Sequence, residues 1–137
     1  MMNNAKRFPT FFPKGCPPND AKGEDIILFR LCKTTVPTAD DFVSFYQIDP
    51  ARYEGNIQAY GLSTYPSADA CESAKRKSPR LRSTYEGIAY GQVGADKGKI
   101  LRTPSKANPA HITWWVYEGV EPHTFFENYC KGGVEHE

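Results

Sequence analysis

The chain has 137 residues, 39% of them hydrophobic and 24% charged, which is the composition of a globular protein with one domain and its own core. Its formal net charge of +1 gives no overall attraction toward nucleic acid or anionic lipid. The aromatic content of 13%, with 11 glycines and 11 prolines, favours strands and loops over a helical bundle.

The N-terminal residues 1–23 contain the stretch "FPTFFPKGCPPNDAKG", whose prolines and aromatics predict an ordered arm packed on the body of the domain. No segment has the apolar length of a signal peptide or a membrane-spanning helix, so we expect a cytoplasmic protein without a membrane partner. The cysteines are far apart and form no C-x-x-C pair, so no metal site is expected. Cys32 and Cys71 are interpreted as small buried apolar residues.

The first predicted strand is "IILFRLC", residues 26–32, which is apolar on both faces except for Arg30. A buried guanidinium needs an acidic partner, an anionic ligand or a position at the wet end of the strand. The strand is followed by a predicted short helix that Thr38 caps together with Asp41 and that Pro50 ends. Its aromatic residues Phe42, Phe45 and Tyr46 are predicted to share one side.

The middle of the chain predicts a strand, a helix and a hairpin. "QAYGLSTY" is a short strand, and Ser67 can cap the helix "ADACESAKRKS", in which Cys71 and Ala74 form part of a small inward stripe. "STYEGIAYGQV" and "KILRT" then read as strands joined by the turn "GADKG" and paired as a hairpin. The glycine spacing of "GADKGK" departs from a phosphate-binding loop, which supports the turn.

The strand "HITWWVY" has the clearest alternation in the chain. His111, Thr113, Trp115 and Tyr117 lie on one predicted face, and apolar residues lie on the other. The mixed order of strands and short helices predicts an α+β single domain, residues 1–137, with a curved, largely antiparallel sheet, two short helices and a polar tail at 131–137.

The titratable and aromatic side chains of the last strand offer the ingredients of a pocket, although a half-buried structural strand has the same composition. Two carboxylates, Glu118 and Glu121, follow this strand in a loop, where charged residues serve either chemistry or solvation. If the strands lie in one sheet, Arg30, the hydroxyls of Ser63 and Thr64, and one glutamate converge on a cleft. Such a set suits a ligand with phosphates and ribose.

A basic run offers a different function. It consists of Lys75, Arg76, Lys77, Arg80 and Arg82. Clustered cations bind the phosphates of RNA or DNA, but cations at a helix end also complement the helix dipole. The aromatic residues are not interleaved with these charges, as a stacking platform for bases requires.

An arginine on an early strand, a serine or threonine on a middle strand followed by a helix with small residues, and a late glutamate resemble the arginine-serine-glutamate type of ADP-ribosyltransferase-like domain. The stretch "GLSTYPSADACESA" is similar to the strand-loop-helix segment of that superfamily, which includes RES-type toxins that consume NAD. The resemblance spans about residues 26–121. It implies that Arg30 grips a phosphate or ribose of NAD, that Ser63 orders the nicotinamide ribose, and that Glu118 or Glu121 stabilises the ribosyl cation.

The sequence therefore predicts a nucleotide-binding protein that uses NAD as its substrate and cleaves the nicotinamide-ribose bond, as a toxin or defence effector would. In this interpretation Thr64, His111, Trp115 and Tyr117 complete the nucleotide site. The alternative is a non-catalytic module that binds a protein or RNA partner through its aromatic strand and basic run, with Arg30 in a structural ion pair.

Overall fold

The computed structural model describes residues 6–130, so the predicted tail at 131–137 lies outside the described residues. Their strands are β1 (Ile26–Cys32), β2 (Leu62–Thr64), β3 (Gly87–Val93), β4 (Gly98–Arg102), β5 (Ile112–Val116) and β6 (Glu127–Asn128). Their α-helices are α1 (Phe45–Ile48), α2 (Pro50–Tyr53), α3 (Ala68–Lys77) and α4 (Pro79–Thr84). Short 3-10 helices cover Ala39–Phe42, Ile57–Tyr60 and Pro122–Thr124. The predicted α+β class is confirmed.

The strands form two three-stranded antiparallel sheets, ordered β1-β3-β6 and β2-β5-β4. One residue pair joins them, because Phe29 and Tyr65 exchange two backbone hydrogen bonds of 2.8 Å each. The junction places the residue after Phe29 in β1 close to β2. The bridge between Phe29 and Tyr65 thus brings Arg30 next to Ser63.

The predicted hairpin between β3 and β4 is wrong. Strand β3 pairs with β1 on one side and β6 on the other, whereas β4 pairs with β5 and accepts the arm through a bridge between Lys22 and Ile100. The predicted turn forms, with Lys97 donating its N–H to the carbonyl of Gly94 at 2.9 Å, but it carries the chain from one sheet to the other. Alternation identifies a strand without identifying its neighbour, because any strand of matching burial can fill the same edge.

The predicted helix after β1 is divided into two parts. Thr38 and Asp41 form the expected capping box, but the helix ends at Val43, which is extended with φ −107° and ψ 141°. Ser44 then caps α1, since its Oγ accepts the N–H of Gln47 at 3.2 Å. Pro50 begins α2 as its first residue, where proline has no N–H to lose.

The division separates the aromatic residues that the pattern had placed together. Phe42 joins the main core, Phe45 lines an open cleft, and Tyr46 packs toward the arm. The prediction that they share one side is therefore wrong. A second cap inside a short segment resets the helical phase, so the i, i+3, i+4 spacing no longer defines a face.

Helix α3 agrees with its prediction. Ser67 Oγ accepts the N–H of Ala70 at 3.1 Å, and Cys71 and Ala74 are buried in a cluster with Leu31 and Ile88. Burial also raises the pKa of the Cys32 thiol to about 12 and that of Cys71 further, so both thiols stay protonated near neutral pH. Both cysteines are the buried apolar residues that the sequence predicts.

The main core lies between the sheets and draws side chains from both. It contains Leu28, Cys32, Phe42, Leu62, Ala89, Val93, Ile100, Ile112, Trp114 and Phe126. A separate cluster holds the arm in place, because Phe8 and Phe12 pack around buried Trp115 and Tyr60. Both faces of β5 are therefore covered, one by the core and one by the arm.

Candidate ligand-binding cleft

An open cleft of about 430 Å³ lies beside the junction of the two sheets. Its floor is formed by Arg30 of β1, Ser63 of β2 and His111, the residue before β5, and its walls come from α1, α2 and α4. The volume falls within the range of roughly 300–1,000 Å³ that small-molecule sites occupy. Three of the residues predicted for the nucleotide site thus share one cavity.

Arg30 is held in the cleft without an acidic partner among the described residues. Its Nε donates to the backbone carbonyl of Asp41 and its Nη1 to that of Ser63, both at 2.7 Å, and its guanidinium carbon lies 5.6 Å from the centre of the Phe42 ring. Burial lowers the pKa of Arg30, which means that its charge is held at a cost in free energy. Its remaining N–H groups can donate to a ligand in the cleft.

Asp41, the buried carboxylate nearest to Arg30, already accepts hydrogen bonds from its own loop. Asp41 Oδ1 accepts the N–H of Lys33 at 2.9 Å, and Oδ2 accepts the N–H of Thr38 at 2.9 Å and its hydroxyl at 3.3 Å. These bonds fold the loop after β1 so that the Asp41 carbonyl faces Arg30. The structural ion pair of the alternative prediction is not found for Arg30 in residues 6–130.

Ser63 and His111 belong to a line of hydrogen bonds along the cleft floor. His111 Nε2 lies 2.9 Å from Ser63 Oγ, and its Nδ1 lies 2.8 Å from Thr103 Oγ1. Thr103 Oγ1 in turn lies 2.8 Å from the hydroxyl of buried Thr113. Burial lowers the pKa of His111, a hydrogen bond with the Thr103 backbone opposes this, and the Arg30 charge lowers it further.

One wall of the cleft is aromatic and apolar. Phe45 stacks on Tyr53 with ring centres 5.6 Å apart and an angle of 26° between the planes, and the neighbouring Ile48 is 62% exposed. Both rings line the cleft, so a flat ligand ring has a surface to stack on. Phe45 and Ile48 are among the few large apolar side chains that this fold leaves exposed.

The rim adds charged and amide groups. The cations are Lys33 and Arg80, and Asp40 is the acidic side chain that remains beside Asp41. Amides are supplied by Asn56, Gln58 and Asn108. Since both oxygens of Asp41 bind the loop backbone, the cleft presents more cationic than anionic surface to a ligand.

The two glutamates do not reach this cleft. Glu118 follows the far end of β5, five positions beyond Thr113 or roughly 16 Å along an extended chain. It forms an exposed ion pair with Arg7 at 3.8 Å and lines a smaller cavity of about 270 Å³ near the arm. Glu121 precedes the 3-10 helix Pro122–Thr124 and is exposed. The convergence predicted for a glutamate with Arg30 and Ser63 is therefore not found.

Three other predicted residues have structural contacts elsewhere. Thr64 is buried and donates its hydroxyl to the Ile112 carbonyl at 2.9 Å. Trp115 is buried under the arm, where its Nε1 donates to the Ile57 carbonyl at 3.0 Å. Tyr117 packs on Phe8 with ring centres 4.7 Å apart. None of the three lines the cleft that contains Arg30.

The cations of the basic run do not share one role. Arg82 Nη1 donates to the carbonyls of Lys75 and Arg76 at 3.1 and 2.6 Å, and so caps the end of α3. Lys77 Nζ donates to the Ala107 carbonyl at 3.1 Å. Arg80 lines the cleft. The run is therefore not one continuous free surface.

Sequence reasoning missed Thr103 and the aromatic wall. The register of β4 and β5 pairs Arg102 with Ile112, which places Thr103 directly beside His111. Treating "KILRT" and "HITWW" as neighbours would have revealed this contact, but the hairpin prediction paired "KILRT" with β3. The sequence prediction ended the helix at Pro50 and did not include α2, so it gave no reason to place Tyr53 beside Phe45.

Residues 6–130 contain no group of three or more histidine, cysteine, aspartate or glutamate side chains arranged to hold a metal ion. Within the same range no helix is both long and apolar enough to cross a membrane. Comparison with family models, curated proteins and solved structures gave no match to this chain. The functional interpretation depends on the cleft itself.

Proposed function

We propose that the chain binds a nucleotide in the cleft that contains Arg30, and that this nucleotide is NAD. The observation that carries the proposal is Arg30 itself, a guanidinium held in a cavity by two carbonyls, with no acidic partner in the described residues and with donors to spare. An anionic phosphate would offset the cost of holding this charge and would accept charge-assisted hydrogen bonds.

The rest of the cleft supports a nucleotide over a bare anion. The stacked pair of Phe45 and Tyr53 suits a flat base, and the amides of the rim suit ribose hydroxyls. The resemblance of the Arg30 and Ser63 segments to ADP-ribosyltransferase-like domains favours NAD among the nucleotides. A protein that uses NAD in this way would serve as a toxin or defence effector.

Cleavage of the nicotinamide-ribose bond is the second part of the proposal. Such a reaction develops positive charge on the ribose, which a carboxylate stabilises. Neither Glu118 nor Glu121 lies in the cleft, whereas Asp40 lines it with no side-chain hydrogen bond among the described residues. We assign this role to Asp40.

Thermal unfolding with and without NAD tests binding. At about 100 times its dissociation constant a ligand stabilises the folded state by about 2.7 kcal/mol, which is a measurable rise in Tm. Arg30→Ala should weaken binding at least tenfold, since a charge-assisted hydrogen bond contributes about 1.5–3 kcal/mol. Arg30→Lys keeps the charge and controls for misfolding. Arg102→Ala is the matched control, because Arg102 pairs with Glu24 outside the cleft.

Release of free nicotinamide tests cleavage. The wild type should convert NAD, and Asp40→Asn should retain NAD binding with a turnover at least tenfold lower. The same measurement on Glu118→Gln should match the wild type. A protein whose Tm is unchanged by NAD lacks the proposed function, and one that binds NAD without releasing nicotinamide lacks only its catalytic part.

A further inference from the structure

The hydrogen bonds along the cleft floor form one chain of four side chains. It runs from Thr113 through Thr103 and His111 to Ser63, with separations of 2.8, 2.8 and 2.9 Å between successive polar atoms. Each hydroxyl has one proton to donate and two positions at which it can accept. A neutral imidazole has one N–H, so His111 donates either outward, from Nε2 to Ser63, or inward, from Nδ1 to Thr103.

The buried end decides between these directions. Thr113 is 1% exposed, and among the described residues its hydroxyl has Thr103 Oγ1 as its partner. If His111 donated inward from Nδ1, the proton of either Thr113 or Thr103 would have no side-chain acceptor among the described residues, which is unfavourable where these hydroxyls are buried. If it donates outward, Thr113 donates to Thr103, Thr103 donates to His111 Nδ1, and His111 Nε2–H donates to Ser63 Oγ. The Ser63 proton is then left for the cleft.

We infer that Thr113, Thr103 and His111 hold Ser63 as a hydrogen-bond donor, so that Ser63 and Arg30 form a subsite for the oxyanion of a phosphoryl group. The inference rests on the proposed function only where it assigns that phosphoryl group to a nucleotide. His111 is a positioning residue here, because it acts through Ser63.

The contacts of Arg30 support the same assignment. Arg30 Nη1 donates to the backbone carbonyl of Ser63, which ties the two donors to one residue of β2. The adjoining Asp41 oxygens accept bonds from Lys33 and Thr38, so they do not compete for the subsite. A phosphoryl oxygen accepts from several donors at once, so one such oxygen can accept from both Arg30 and Ser63.

The direction of the chain also assigns the proton on His111. In the neutral ring Nε2 carries the hydrogen, so this atom cannot accept a proton from Ser63 or from a water beside it. The lowered pKa of His111 keeps the ring neutral near pH 7. Ser63 therefore serves as a binding group and is not an activated nucleophile.

Nuclear magnetic resonance of the ring nitrogens tests the direction. Long-range proton–nitrogen correlations distinguish the two neutral tautomers, and comparison with His111→Gln identifies the signals of His111. We expect the Nε2–H tautomer in the unliganded protein at pH 7.5. The Nδ1–H tautomer would overturn the inference.

Two substitutions at one position test the role in binding. The amide nitrogen of His111→Gln reaches toward Ser63 and can donate as Nε2–H does, whereas the shorter His111→Asn reaches only toward Thr103. With NAD and with inorganic pyrophosphate as probes, His111→Gln should bind within about threefold of the wild type. His111→Asn and Ser63→Ala should bind each probe at least tenfold more weakly. Circular dichroism confirms that each variant is folded.

The two probes separate the two proposals. If pyrophosphate binds and depends on Ser63 but NAD does not bind, the subsite stands and the proposed function fails. If NAD binds equally well to the wild type, His111→Asn and Ser63→Ala, the proposed function stands and the subsite fails. A loss of binding in His111→Gln equal to that in His111→Asn would also overturn the inference, because a donor in the place of Nε2–H would then not restore binding.

Discussion

Arg30 is the residue on which the proposed function depends most. A guanidinium between apolar neighbours in β1 requires compensation, and the structure supplies it with two backbone carbonyls and the face of Phe42. Carbonyls satisfy hydrogen bonds without cancelling the charge, so the electrostatic cost of burial remains. This residual cost is what an anionic ligand would relieve.

The lowered pKa of His111 predicts that the free energy of unfolding depends on pH. Burial, aided by Arg30, lowers its pKa in the folded protein below the ordinary value of 6.5, so below that pH the unfolded chain binds more protons than the folded one. The free energy of unfolding should therefore decrease as the pH falls from about 6.5 through the lowered folded pKa. The charged side chains that line the cleft with His111 are Arg30, Lys33, Asp40, Asp41 and Arg80.

Urea unfolding at several pH values between 5 and 7.5 measures this effect. The difference in unfolding free energy between the wild type and His111→Gln should shrink or reverse toward the acid end, because glutamine does not titrate. A difference that is constant across the range would contradict the assignment. The substitution His123→Gln, at a partly exposed position of the 3-10 helix after β5, is the control.

At the scale of elements, β5 illustrates what alternation does and does not predict. Its two faces enter different environments, since Trp114 lies in the core between the sheets and Trp115 lies under the arm. Both rings are fully buried, but their N–H groups differ in hydrogen bonding. Trp115 Nε1 donates to the Ile57 carbonyl, whereas Trp114 Nε1 has no partner in the described residues.

Phenylalanine substitutions should separate these two tryptophans. Both changes remove similar buried area, but Trp115→Phe also breaks a hydrogen bond and leaves a carbonyl with one fewer donor. We expect Trp115→Phe to lower the unfolding free energy by about 1 kcal/mol more than Trp114→Phe does. Urea denaturation of the pair measures the difference, and a larger loss for Trp114→Phe would contradict it.

For the whole molecule, the two sheets meet through one backbone pair but share one core. Phe29 and Tyr65 provide the only β-bridge between the sheets in residues 6–130, which by itself would allow them to separate. The core instead interleaves Leu28 and Val93 of one sheet with Ile112 and Trp114 of the other. Separating the sheets would expose this apolar surface to water.

The shared core predicts a single cooperative unfolding transition. Tryptophan fluorescence reports on β5 alone, whereas far-ultraviolet circular dichroism reports on both sheets and the helices. The two signals should give coincident midpoints and equal m-values in urea. An earlier midpoint in one signal would show that the sheets unfold separately.

Local features of this protein were predictable because they depend on neighbouring residues. The strand with Arg30, the cap at Ser67 with the inward Cys71 and Ala74, and the alternation of β5 each follow from side chains within a few positions. The charge of Arg30 also indicated the candidate cleft, since an isolated guanidinium in an apolar strand is anomalous in the sequence itself.

Only the tertiary structure decided which strands are neighbours, and with them the composition of the cleft. The pairing of β4 with β5 brought Thr103 to His111, and the break between α1 and α2 turned Phe45 toward Tyr53. The far position of Glu118 follows from the direction of β5, which points its first residues at Arg30 and its last toward the arm. Side-chain pattern encodes burial, but strand pairing is a choice among many edges of similar pattern, and that choice is made by packing over the whole chain.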